Sequence, residues 1–100
     1  MRRVSGHSLR KAARGKECQI RIPGVCNGNP ETTVLCHLPS RGMGTKSHDL
    51  HGAWGCSDCH DCVDSRQASN WSPELIKLWF LEGVIRTQER LIAEGKIGEV

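Results

Sequence analysis

The sequence predicts a small α+β domain: a zinc-stapled β-hairpin and helix, backed by a long C-terminal amphipathic helix. Three observations predict it. Cys56 and Cys59 form a Cys-x-x-Cys pair, a short turn that brings two sulfurs to the separation a tetrahedral zinc ion needs. Two short stretches, residues 19–22 and 32–38, alternate polar with apolar or are rich in β-branched residues, and read as strands. From Ser72 onward apolar residues recur at helical spacing, which predicts a helix over residues 72–95.

At 100 residues the chain is one domain, 1–100, divided into a basic N-terminal arm (1–16), a zinc-bound core (17–68) and the C-terminal helix (72–95). A chain this short buries little surface and commonly needs a staple beside its core. The need is greater here because aromatic residues make up only 4% and the apolar residues gather in the last third. No apolar run resembles a signal peptide or a membrane span, so the expected location is the cytoplasm and no membrane partner is expected. Thiols stay reduced there, which favours metal over disulfides for the six cysteines.

The arm places Arg2, Arg3, Arg10, Lys11, Arg14 and Lys16 before the first acid, Glu17. A net charge of +3 does not by itself argue for nucleic acid, but this clustering suits phosphate contacts and counterion release. A solvated or disordered terminus would read the same way. Pro23-Gly24 turns the chain after the first strand and brings Cys26 back towards Cys18, so these two are available to complete a four-sulfur site with Cys56 and Cys59. An alternative gives His60 to the zinc and leaves one cysteine free. The second strand ends at Pro39, with His37 close to its end. Residues 40–47 form a glycine-rich loop carrying Arg41 and Lys46, which suits phosphate or a plain connection equally. A short helix follows Cys56. Ser72-Pro73-Glu74 then opens the long helix with an N-cap, a proline at the first helical position and an acid in the first turn. Gly95 is its expected stop, and Trp79 and Phe80 are expected in the core.

His37 at a strand end, a loop, and a Cys-x-x-Cys-His turn opening a helix resemble the ββα-metal finger of the HNH (His-Me finger) endonucleases. The stretches Arg10-Lys11-Ala12-Ala13-Arg14-Gly15, Cys18 through Thr32, and Cys56-Ser57-x-Cys59-His60-Asp61 are similar, more closely, to small prophage-encoded nucleases of the YbcO type. The resemblance covers about residues 9–66 well and the last helix more loosely. It implies structural zinc on Cys18, Cys26, Cys56 and Cys59. His37 falls on the general base of the family, and His60 on a ligand of one catalytic divalent cation, Mg²⁺ or Mn²⁺. Lys46 and Asp49 match a Lys-x-x-Asp between them. The middle motif position is His51 by distance and Asp49 by resemblance; an oxygen ligand suits a hard cation better, so Asp49 is preferred as its second ligand. Cys36 and Cys62 depart from the pattern and read as small buried side chains. His7 and His48 read as surface residues, Asp64 as a plain acid, and Asp61 as either an outer-sphere acid or a helix N-terminal charge.

The expected function is metal-dependent hydrolysis of DNA phosphodiester bonds in a phage or prophage setting, inside a bacterial host. Histidine titrates in the range needed to make a nucleophile from water at neutral pH, and a bound cation offsets charge building on phosphorus. Arg10, Lys11, Arg14, Arg41 and Lys46 are the expected nucleic-acid contacts. A homodimer is left open, since cutting both strands would call for two sites. The rival class is a non-catalytic zinc-ribbon-like nucleic-acid-binding module, in which both histidines are structural.

Overall fold

A computed structural model describes residues 6–37, 48–65 and 69–97 of the chain. Its elements run in the order α1 (Gly6–Ala12), β1 (Val34–Cys36), β2 (Ala53–Gly55), α2 (Ser57–Val63) and α3 (Pro73–Ala93), with single 3₁₀ turns at Pro30–Thr32 and Asp49–His51. The result is the small α+β architecture expected, with a two-stranded antiparallel sheet pairing Val34 with Gly55, Leu35 with Trp54 and Cys36 with Ala53.

Several elements differ from the sequence reading. The basic arm carries a helix: its residues Gly6–Ala12 form α1, which buries Leu9 and brings Ala13, just beyond its end, into the core. Residues 19–22 are not a strand. Arg21 has φ 54°, a left-handed conformation that no ladder accommodates. The alternation there arises because Ile20 and Ile22 both point inward from an irregular loop. The second strand of the hairpin is Ala53–Gly55 instead. It is three residues long and buried at every position, so it shows no polar alternation.

The last helix starts and stops as the sequence predicts. Ser72 Oγ accepts a hydrogen bond from the Leu75 amide at 3.2 Å, Pro73 and Glu74 fill the first turn, and Gly95 adopts φ 71° just past the end, where glycine carries no Cβ penalty. Phe80 is buried and Trp79 partly so, whereas Leu78, Leu81, Ile85 and Ile92 face outward. The core is therefore shared. One cluster gathers Ile20, Ile22 and Phe80 around the cysteines; the other packs Leu9, Ala13, Trp54 and Leu91.

Three consecutive residues of α3 hold three separate parts of the chain. Arg86 donates to Gln19 O at 2.9 Å, the buried Thr87 Oγ1 accepts from the Trp54 amide at 2.9 Å, and Gln88 donates to Leu50 O at 2.6 Å. Gly83 lets the helix approach this closely, since a Cβ there would lie 3.1 Å from both Gln19 O and Ile20 Cα. Among the described residues, no helix is long and apolar enough to cross a membrane.

Candidate active site and metal centre

Cys18, Cys26, Cys56 and Cys59 converge, with all four sulfurs within 4.8 Å of one another. Zinc–sulfur bonds of about 2.3 Å in a tetrahedron require sulfur–sulfur edges of about 3.8 Å; Cys26 and Cys56 stand 3.9 Å apart. Backbone amides point at the sulfurs: Arg21 N to Cys18, and both Asn27 N and Cys59 N to Cys56, each at 3.4 Å. The unusual φ of Arg21 thus has a local return, because it turns that amide onto a ligand sulfur. The donor set, spacing and amide contacts fit a closed structural zinc site, and they leave no place in it for His60.

The thiols are unequal. Hydrogen bonding from Cys59 lowers Cys18 to about 4, with the amides of Arg21, Cys56 and Ile20 assisting against burial. Donating that bond holds the Cys59 proton in place and raises its pKa. Burial pushes Cys26 up to about 11, helped by the negative charge on Cys18. Cys36 and Cys62 are buried but lie outside the four-sulfur cluster; burial raises Cys36, which suits an inert small side chain.

The second centre begins where β1 ends. His37 follows Cys36 directly, and its Nε2 lies 2.6 Å from Asp49 Oδ1. Asp49 sits in the 3₁₀ turn before β2, 8% exposed, and its Oδ2 is 3.4 Å from Arg10 Nε on α1. A buried carboxylate is thus shared by an imidazole and a guanidinium, the charge-assisted arrangement that makes carboxylate burial tolerable. The pairing favours the tautomer in which Nε2–H donates to the carboxylate and the lone pair lies on Nδ1. His60, on α2, places its Nε2 3.2 Å from Asp64 Oδ2, one helical turn later. His48 Nδ1 caps the 3₁₀ turn by accepting from Leu50 N at 3.0 Å, and His51 is exposed.

The structure therefore gathers the four cysteines at one centre and His37 and Asp49 at another, and it gives His60 a carboxylate of its own. Among the described residues, the cysteines are the one group of three or more metal-capable side chains. Arg10, Lys11 and Arg14 line a cleft of about 270 Å³ between α1 and β1. Arg41 and Lys46 lie outside the described residues. Sequence reasoning did not find Arg10 as a carboxylate partner, for which no local signal exists. It also passed over Asp64 as the partner of His60, although an i, i+4 spacing was there to be read.

A model of the family described as "Putative nuclease YbcO" matches residues 7–96. The chain belongs to the YbcO family. Two curated relatives, one from Escherichia coli (strain K12) and one from Enterobacteria phage 82, bear that same description. Each is 52% identical over 92 residues, covering 89% of this chain and 95% of the relative. A solved structure titled "Structure of a putative bacteriophage protein from Escherichia coli str. K-12 substr. MG1655" superimposes with a TM-score of 0.76 at 50% identity. It covers 88% of this chain and all of the other. The fold of this YbcO-family chain is thus shared with a solved relative over most of its length.

Proposed function

We propose that the chain is a metal-dependent endonuclease of the His-Me finger (HNH) type, hydrolysing DNA phosphodiester bonds with His37 as general base. The observation that carries this reading is the 2.6 Å contact between His37 and Asp49. It fixes the ring and leaves Nδ1 free to take a proton from water, the relation of base to orienting carboxylate that acid–base hydrolysis uses. The order β1, His37, β2, α2, His60 supports a ββα finger, and the YbcO relatives, named as nucleases, support the reaction class.

Asp49 orients His37 through Oδ1 and meets Arg10 through Oδ2, and the lone pairs left on its carboxylate keep it as the second ligand of the cation. His60 is assigned as the first. Its Nε2 is engaged by Asp64, and a carboxylate on one ring nitrogen is what commonly orients the other towards a metal. A magnesium or manganese ion there, completed by water and a substrate phosphate as hard cations are, would supply positive charge at phosphorus and at the leaving oxygen. Arg10 steadies Asp49 and, with its side chain 63% exposed, remains available to phosphate. Zinc on the four cysteines is structural.

The test is nicking of supercoiled plasmid by highly purified zinc-loaded protein with added magnesium or manganese. His37→Ala should keep the zinc and DNA affinity, fold with a lower Tm because the buried Asp49 carboxylate is left to Arg10 alone, and lose roughly 10²- to 10⁴-fold in rate, the usual contribution of a positioned base. His60→Ala should lose activity that raised magnesium or manganese partly restores. A His37→Ala variant cutting as fast as wild type refutes the mechanism. A wild type that binds DNA and cuts nothing with any divalent metal returns the chain to the binding-module class.

A further inference from the structure

The cleft between α1 and β1 is more than a row of cations. Arg10, Lys11 and Arg14 form one wall, while Thr33, Val34 and Leu35 form the other. A site for phosphate alone has no use for Val34, which stands 42% exposed at the start of a strand, nor for the half-buried Leu35 beside it. Thr33 adds a second anomaly: it is 2% exposed, and its Oγ1 has no hydrogen-bond partner. Buried hydroxyls are normally satisfied, and one left over marks where a ligand or water can supply the bond. At about 270 Å³ the cleft lies just under the usual range for small-molecule sites. One nucleotide suits that size, whereas a duplex, with its bases stacked inside, offers it only backbone.

We infer that this cleft holds one unpaired nucleotide of the substrate strand beside the bond to be cut, which makes single-stranded or locally unpaired DNA the preferred substrate. The base packs against the edge of β1 at Val34 and Leu35 and under a guanidinium plane, a recognised platform for unstacked bases; its phosphate meets Lys11 and the arginines; and Thr33 Oγ1 gains a polar partner. Arg10 fixes the position of the cleft, since it lines this wall and also reaches Asp49, the partner of His37. The inference rests on the nuclease reading and names its substrate.

The experiment measures binding, so it stands apart from cleavage. Fluorescence anisotropy of the full-length zinc-loaded protein, without added magnesium, compares a labelled 12-nucleotide single strand with the same sequence as a duplex at one salt concentration. The single strand should bind about tenfold tighter, the gain of one packed base. Val34→Thr, which keeps the β-branched shape, should cut that preference roughly threefold or more while leaving duplex affinity and zinc content unchanged. Arg14→Ala should weaken both ligands. Equal affinity for duplex and single strand, or an unchanged preference in Val34→Thr, overturns the inference. If the preference appears but no metal supports cleavage, the nuclease reading fails and the cleft stands; cleavage without the preference gives the reverse.

Discussion

Gly83→Ala tests how tightly α3 is set against the loop that holds Gln19 and Ile20. In an exposed helix interior the replacement would stabilise by about 1 kcal/mol. Here the new Cβ would lie 3.1 Å from Gln19 O, Ile20 Cα and Ile20 Cγ1, closer than a methyl normally sits. Two of those atoms are backbone, and that backbone has little room to retreat. The Gln19 amide donates to Trp54 O at 2.6 Å, Gln19 O accepts from Arg86, and the adjacent Cys18 is a proposed zinc ligand. Relief therefore requires α3 to move outward by a few tenths of an ångström, loosening Phe80 and the Thr87–Trp54 hydrogen bond. Overpacking of this kind costs about 1–3 kcal/mol, so the net effect should be destabilisation of about 1 kcal/mol, or roughly 4–8 °C in Tm for a domain of this size. Thermal unfolding of the zinc-loaded proteins reads that shift, and zinc competition with a chromophoric chelator should show weaker retention, because the push falls on residues 19 and 20. A Tm raised by a similar amount, with zinc retention unchanged, would refute the close packing.

The cysteines divide by position. Cys59→Ser should give a metal-poor, largely unfolded chain, since structural zinc supplies on the order of 10 kcal/mol of folding free energy, whereas Cys36→Ala and Cys62→Ala should fold and keep one zinc by elemental analysis. Thr87→Val strips the partner from the buried Trp54 amide and should cost about 1–3 kcal/mol in a urea melt; an unchanged midpoint would mean that α3 does not hold β2 through this bond. Zinc loading at pH 7 should release at least two protons by calorimetry in buffers of different ionisation enthalpy. Cys26, pushed up to about 11, and Cys59, raised by its bond to Cys18, are protonated there, so zinc affinity climbs as pH rises. Cys18, lowered to about 4, adds a proton to the count only in strong acid.

Much of this molecule is legible where a local rule decides it. Ser72, Pro73 and Gly95 mark the ends of α3 because capping is short-range, and the spacing of Cys56 and Cys59 marks the four-sulfur cluster because a turn sets the distance between two sulfurs. β2 escapes because Ala53, Trp54 and Gly55 are all buried, which removes the alternation that reveals a strand. Residues 19–22 mislead for the opposite reason: Ile20 and Ile22 alternate without any strand partner, guided by Arg21 in a left-handed conformation. The split of α3 into buried and outward apolar positions is set by neighbours distant in sequence. The same holds for the candidate site, where His37 is placed by a strand end, but its carboxylate and the arginine behind it come from a turn and from α1.

The topology of the cysteines bears on how a chelation experiment must be read. Cys26 and Cys56 stand at the two ends of a segment that contains β1, His37, Asp49 and β2, so a metal held by the four cysteines would close the loop on which the candidate base and its carboxylate are strung. Stripping such a metal would free the ends of the loop and dissolve the geometry of His37 without touching its chemistry. Loss of cleavage in a strong chelator would thus report on the tie as readily as on a reacting cation. Dilution or dialysis into magnesium-free buffer, with zinc content measured in the same sample, separates the two. Only cleavage that vanishes while the zinc stays bound, and returns on adding magnesium, speaks for a second metal.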